Sequence, residues 1–132
     1  MHTLYQALLV ALGSALGGLA RWGIGLVAVS FFGSRFPWGT MLINVSGCLF
    51  LGWFGTLLGD RLWPSGEELR LLLIVGFTGA FTTFSTFQYE TSTLLRTGDG
   101  ILAMLYLFAS IALGLLAVRF GMILAHNAWR VP

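Results

Sequence analysis

The chain has 132 residues, 57% hydrophobic and 9% charged, with a net charge of +2 at pH 7. Soluble domains carry roughly 25% charged residues, so a water-soluble globule is excluded. The seven basic residues are all arginines and are scattered, which excludes nucleic-acid binding. Four apolar stretches, about 4–32, 37–59, 69–95 and 101–126, each reach the ~20 residues a spanning helix needs. Short polar connections separate them. The expectation is an all-α integral membrane protein, one transmembrane domain over 1–132.

The first stretch is a span and not a leader. It lacks a basic start, and its apolar run exceeds the roughly 7–15 residues of a signal-peptide core. Gly13, Gly17 and Gly18, with Ser14 and Ala15, put small residues on one face, where helices approach closely. Arg21 follows, next to Trp22, deep in apolar sequence. Either the span ends there and Arg21 snorkels to the interface, or Arg21 faces a water-filled vestibule and attracts anions.

The connection 33–36 ends at Pro37, which suits the first turn of a helix. In the second span Thr40, Asn44 and Gly47 recur at i, i+4, i+7, so that one face carries the span's only amide. Asparagine in a membrane helix is interhelical glue or a pathway donor. Gly55 and Gly59 read as a close-packing pair. Cys48, the single cysteine, allows no intrachain disulfide and reads as a small packing residue. Loop 60–68 is an ordinary solvated connection.

The third span is the anomalous one. No charge occurs between Leu71 and Tyr89, yet Thr78, Thr82, Thr83, Ser85 and Thr86 crowd in beside Gly76 and Gly79. Lipid offers hydroxyls and loosened backbone no partner, so this cluster must face protein, water or a permeating solute. Phe77, Phe81, Phe84 and Phe87 interleave with it, and Glu90 follows one turn later. A polar, glycine-loosened break walled by rings points to a pathway for a small solute or ion. The fourth span sets Tyr106, Ser110 and Gly114 on one face. Trp22, Trp38, Trp53, Trp63 and Trp129 fall mostly near span ends, as interfacial tryptophans do.

Arginine placement bears on topology. With the N-terminus cytoplasmic, that side receives Arg61, Arg70 and Arg130, and the other side Arg35 and Arg96. A chain with one orientation shows a clear positive excess inside. This chain shows almost none, so it can insert both ways round and pair as an antiparallel homodimer. A fixed topology set by weak signals is the competing reading. Nothing supports an enzyme: the chain has no phosphate-binding glycine loop, no metal-ligand spacing and no nucleophile–base pair.

GFTGAFTTFSTFQYE at 76–90, with Arg21–Trp22 and PWGTMLINVSG at 37–47, resembles the Fluc-type fluoride channels (CrcB family) over about 4–126. The resemblance implies a dual-topology homodimer of antiparallel subunits, each with four helices and a break in the third. It also implies two fluoride pathways and a structural sodium ion at the dimer centre. By position, the pathway residues would be Arg21, Thr40, Asn44, Thr83, Phe84, Ser85, Thr86, Phe87, Glu90, Tyr106 and Ser110. Gly79 and Thr82 would give main-chain carbonyls to sodium. Hydroxyl and amide donors would replace the water that fluoride sheds, and ring edges would meet the anion. The partners implied are fluoride, the lipid bilayer and a second copy, and the location is the cell inner membrane. Two departures stand out: Ala80–Phe81, where the family often has Gly-Gly or Gly-Leu, and Gly114, where some relatives continue the hydroxyl track. The alternative is a small four-helix dual-topology proton-coupled drug exporter. It needs a membrane-embedded carboxylate, and Glu90 is the only acid within an apolar stretch.

Overall fold

The structure, a computed structural model, describes residues 2–59 and 66–128. Arg61, Trp63, Trp129 and Arg130, part of the arginine and tryptophan readings above, lie outside the described residues, as does 60–65 of the second connection. Helix α1 is His2–Phe32 and α2 is Trp38–Gly59. Helix α3 covers 66–81, with α-helical ends at Gly66–Leu69 and Gly79–Phe81 around a π-helical stretch, Arg70–Thr78. Helix α4 is Phe84–Arg96 and α5 is Gly100–Ala128.

Local chemistry sets these ends. Gly33 stops α1 with φ at +73°, a conformation glycine adopts without steric cost. The Pro37 carbonyl takes the Met41 N–H at 3.2 Å, so proline sits at the very start of α2, where its missing donor is harmless. Gly98, at φ +88°, closes α4. Its N–H reaches Leu95 O at 3.3 Å and the Asp99 N–H reaches Leu94 O at 3.0 Å, the paired bonds of a glycine-terminated helix. Helix α1 runs unbroken past Arg21, so the helix does not end there.

Four helices are long and apolar enough to cross a membrane, α3 and α4 together serving as the third over Gly66–Arg96. The shortest, α2, has 22 residues, about 33 Å at the α-helical rise, which matches a ~30 Å hydrocarbon core. The surface agrees. Leu12, Leu16 and Leu19 on α1 and Leu105, Phe108 and Leu116 on α5 are exposed, an exterior that hydrocarbon solvates and water does not. The chain is a multi-pass membrane protein.

Helix α1 packs chiefly on α3, and α2 on α5. Both seams use glycine where one helix meets the backbone of the next. A Cβ on Gly13 would strike the Leu72 carbonyl, and one on Gly17 the Phe77 carbonyl. On the other seam Gly52 faces the Val118 carbonyl and Gly121 the Leu49 carbonyl. Among the described residues the expected Gly55–Gly59 pair does not pack this way: a Cβ on Gly59 would meet nothing within 4 Å, and one on Gly55 only Leu51 of its own helix. Helical rotation turns Gly52 and Thr56 toward the protein instead, both buried, with Gly59 exposed. The Thr56 hydroxyl returns to Gly52 O at 2.7 Å, satisfying itself within the helix.

The seam predicts a contrast between neighbours. Gly17→Ala should lower stability by about 1–3 kcal/mol, the usual cost of overpacking. Gly18→Ala, with nothing within 4 Å of the added carbon, should be close to neutral. Thermal unfolding of the two variants in the same detergent checks this.

Candidate functional site

Between α3 and α4 two residues leave helical geometry, Thr82 at φ −80°, ψ 158° and Thr83 at φ −150°, ψ 115°. Their backbone groups need partners inside a largely apolar protein. Asn44, facing them from α2, meets Thr83 with both ends of its amide. Its Oδ1 accepts the Thr83 N–H at 2.8 Å and its Nδ2 donates to Thr83 O at 3.1 Å. One turn along, Gly47 leaves no room for a Cβ against the Thr82 methyl, so α2 fits closely over the link. Thr83 then caps α4, its Oγ1 accepting the Thr86 N–H at 3.3 Å and donating to Thr86 Oγ1 at 3.0 Å. Ser85 Oγ stands 3.5 Å from the same hydroxyl.

These bonds redirect two main-chain donors. In a continuous α-helix the N–H of Thr83 would go to Gly79 O and that of Thr86 to Thr82 O. Here they go to Asn44 Oδ1 and Thr83 Oγ1. The carbonyls of Gly79 and Thr82 are therefore left without their helical donors.

One turn further along α4, the Glu90 carboxylate accepts from Thr40 Oγ1 at 2.9 Å and from the Tyr106 hydroxyl at 2.7 Å. Three helices thus converge on one carboxylate through two short charge-assisted bonds. Tyr106 is fully buried. Its ring meets Phe87 edge-on at 4.9 Å and Phe36 at 5.4 Å. Phe87 is buried, whereas Phe84, 6.1 Å away between centroids, is 72% exposed. Ser110, one turn beyond Tyr106, holds a buried Oγ with no hydrogen-bond partner among the described residues.

Of the sequence-derived residues, eight line two cavities that share Thr83, while Gly79 and Ser85, both exposed, line neither. Arg21, Thr40, Thr83, Thr86 and Glu90 line a cavity of about 570 Å³. Asn44, Thr82, Thr83 and Phe84 line a smaller one of about 210 Å³. Phe87 and Tyr106, both in the buried core, and the half-buried Ser110 line neither of these. Sequence reasoning passed over Tyr89 and Thr93, which line the larger cavity. They lie at i+3 and i+7 from Thr86, a helical spacing visible in the sequence. It also left Thr78, a wall of the smaller cavity, without a role.

The clamp on Thr83 makes its own prediction. Asn44→Ala takes away both partners of a half-buried N–H and C=O, at up to about 1–3 kcal/mol for each group stranded. The Thr83 amide should then exchange with deuterium much faster than in the parent. Asn44→Asp, which keeps an acceptor, should fall between the two.

Comparison with known proteins gives a family. Residues 8–122 match the family described as CrcB-like protein, Camphor Resistance (CrcB). A protein of Rhizobium johnstonii named "Fluoride-specific ion channel FluC" is 44% identical over 117 residues, covering 89% of this chain and 93% of the relative. Proteins of the same name are 47% identical in Solibacter usitatus, over 91% of this chain and 98% of the relative, and in Chloroflexus aurantiacus, over 86% and 90%. By a match that runs through all four spanning helices, the chain belongs to the CrcB family.

Proposed function

We propose that the protein is a fluoride-selective channel that lets fluoride leave the cell passively across the inner membrane. The observation that carries this reading is the gathering of donors and ring edges in an otherwise apolar helical protein whose relatives bear that name. Fluoride gives up water only where donors replace it. The Thr83, Ser85 and Thr86 hydroxyls cluster at the start of α4, and Ser110 holds a hydroxyl with no partner among the described residues. Thr40 and Tyr106 spend their hydroxyls on Glu90, so an anion near them competes with the carboxylate for the same two donors. Arg21, lining the larger cavity, draws anions toward its mouth. Phe84 and Phe87 can turn their positive ring edges toward a passing anion.

The working assembly in this reading is an antiparallel homodimer with a sodium ion at its centre, and the Thr82–Thr83 link is the break of the third span. The near-even arginines support insertion in both orientations. The residues present fit a hard cation: the Gly79 and Thr82 carbonyls have lost their helical donors to Asn44 and Thr83, and main-chain oxygens suit sodium. When bound, the ion supplies positive charge that offsets the cost of bringing anions into a low-dielectric interior.

Purified protein in liposomes should pass fluoride and largely exclude chloride; comparable chloride flux would refute the assignment. In the same assay Phe84→Ile and Phe87→Ile keep approximate bulk but remove the ring quadrupole. Each should cut fluoride flux while the protein stays folded. Wild-type flux in both variants would make the rings packing residues only.

Assembly is tested separately. A single cysteine introduced at an exposed span end, in a Cys48→Ala background, should be half protected from an impermeant thiol reagent applied to either side. Labelling from one side alone would rule out dual topology.

A further inference from the structure

Thr78 ends the π-helical stretch and is buried, at 5% exposure. Its hydroxyl donates to Leu73 O at 2.8 Å, five residues back. Among the described residues the other helical hydroxyls that return to their own backbone reach three or four residues back, as Thr91 does to Phe87 and Thr93 to Tyr89. The Gly79 N–H is shared between Gly76 O, three residues back, and Ile74 O, five residues back. The wide turn therefore persists up to Thr78 and closes there. Downstream, the Thr78 carbonyl accepts twice from one residue: from the Thr82 N–H at 3.1 Å and from Thr82 Oγ1 at 3.0 Å. Thr82 is where the chain leaves the helix.

We propose that Thr78 is the positioning residue of the link, fixing both the register of the wide turn before it and the placement of Thr82 after it. This rests on the channel reading for its functional consequence. A wide turn takes in one residue more than an α-helical turn, and each residue of an α-helix turns the chain by about 100°. If the stretch relaxed to α geometry, every group after it would rotate by about that much. The Gly79 and Thr82 carbonyls would then point elsewhere, and Thr83 would lose its register against Asn44. The Thr78 hydroxyl holds the wide form, and its doubly accepting carbonyl passes that register on to Thr82.

Thr78→Val keeps the shape and removes the hydroxyl, while Thr78→Ser keeps the hydroxyl. Two quantities are measured on wild type and both variants: deuterium exchange across 78–84, and the sodium concentration giving half-maximal fluoride flux in liposomes. The valine variant should exchange faster at Thr82 and Thr83 and need roughly tenfold more sodium, a shift of the size one buried hydrogen bond sets. The serine variant should match wild type in both. A valine variant identical to wild type in exchange, or a serine variant as impaired as the valine one, overturns the proposal. If wild-type protein carried no fluoride the channel reading would fall, and the exchange comparison would still decide the role of Thr78.

Discussion

A peptide link that leaves helical geometry inside an apolar protein must find hydrogen bonds from elsewhere, since hydrocarbon supplies none. At Thr83 both of those bonds come from one primary amide, Asn44, matched end for end to its backbone. Much else follows from that requirement. Helix α2 must present Asn44 at the right height, and it must come close, which Gly47 permits by offering no Cβ to the Thr82 methyl. With Thr83 held extended, its hydroxyl is free to start α4, and α4 in turn sets Phe87 and Glu90 one and two turns on.

The carboxylate of Glu90 is the second organising group. An acid in an apolar span is costly unless its oxygens are occupied. Thr40 and Tyr106 occupy one oxygen each from two other helices. Tyr106 is in turn wedged between Phe36 and Phe87. Polar and aromatic contacts therefore fix the same ring from different sides, which tethers α5 to α4 where few other contacts join them.

The pattern of apolar residues made the four spans legible, because a bilayer imposes length and apolarity on every spanning helix. It also made legible that Thr40, Asn44 and Gly47 share a face and that hydroxyls crowd around residue 82. What that face would meet was not legible. Asn44 bonds to Thr83 across 39 positions of sequence, and no local pattern encodes that partner. The π-helical stretch was equally hidden: Arg70–Thr78 reads as ordinary apolar helix, and no local pattern in it marks an extra residue per turn. Small residues misled in one place. Gly55 and Gly59 have the favoured spacing but face away from the α2–α5 seam, which runs through Gly52, with the buried Thr56 one turn on.

The carbonyl-against-glycine seams also bear on how such a sequence can drift over generations. Positions such as Leu12 or Leu116 are largely exposed on the apolar exterior, where hydrocarbon makes little distinction among apolar side chains. Gly13, Gly17, Gly52 and Gly121 change only at a cost in stability, because any heavier residue meets a neighbour's main chain. Divergence should then accumulate as an outer coat of interchangeable hydrocarbon around a small inherited lattice. Proteins of this kind would keep their architecture long after most of their visible exterior had changed.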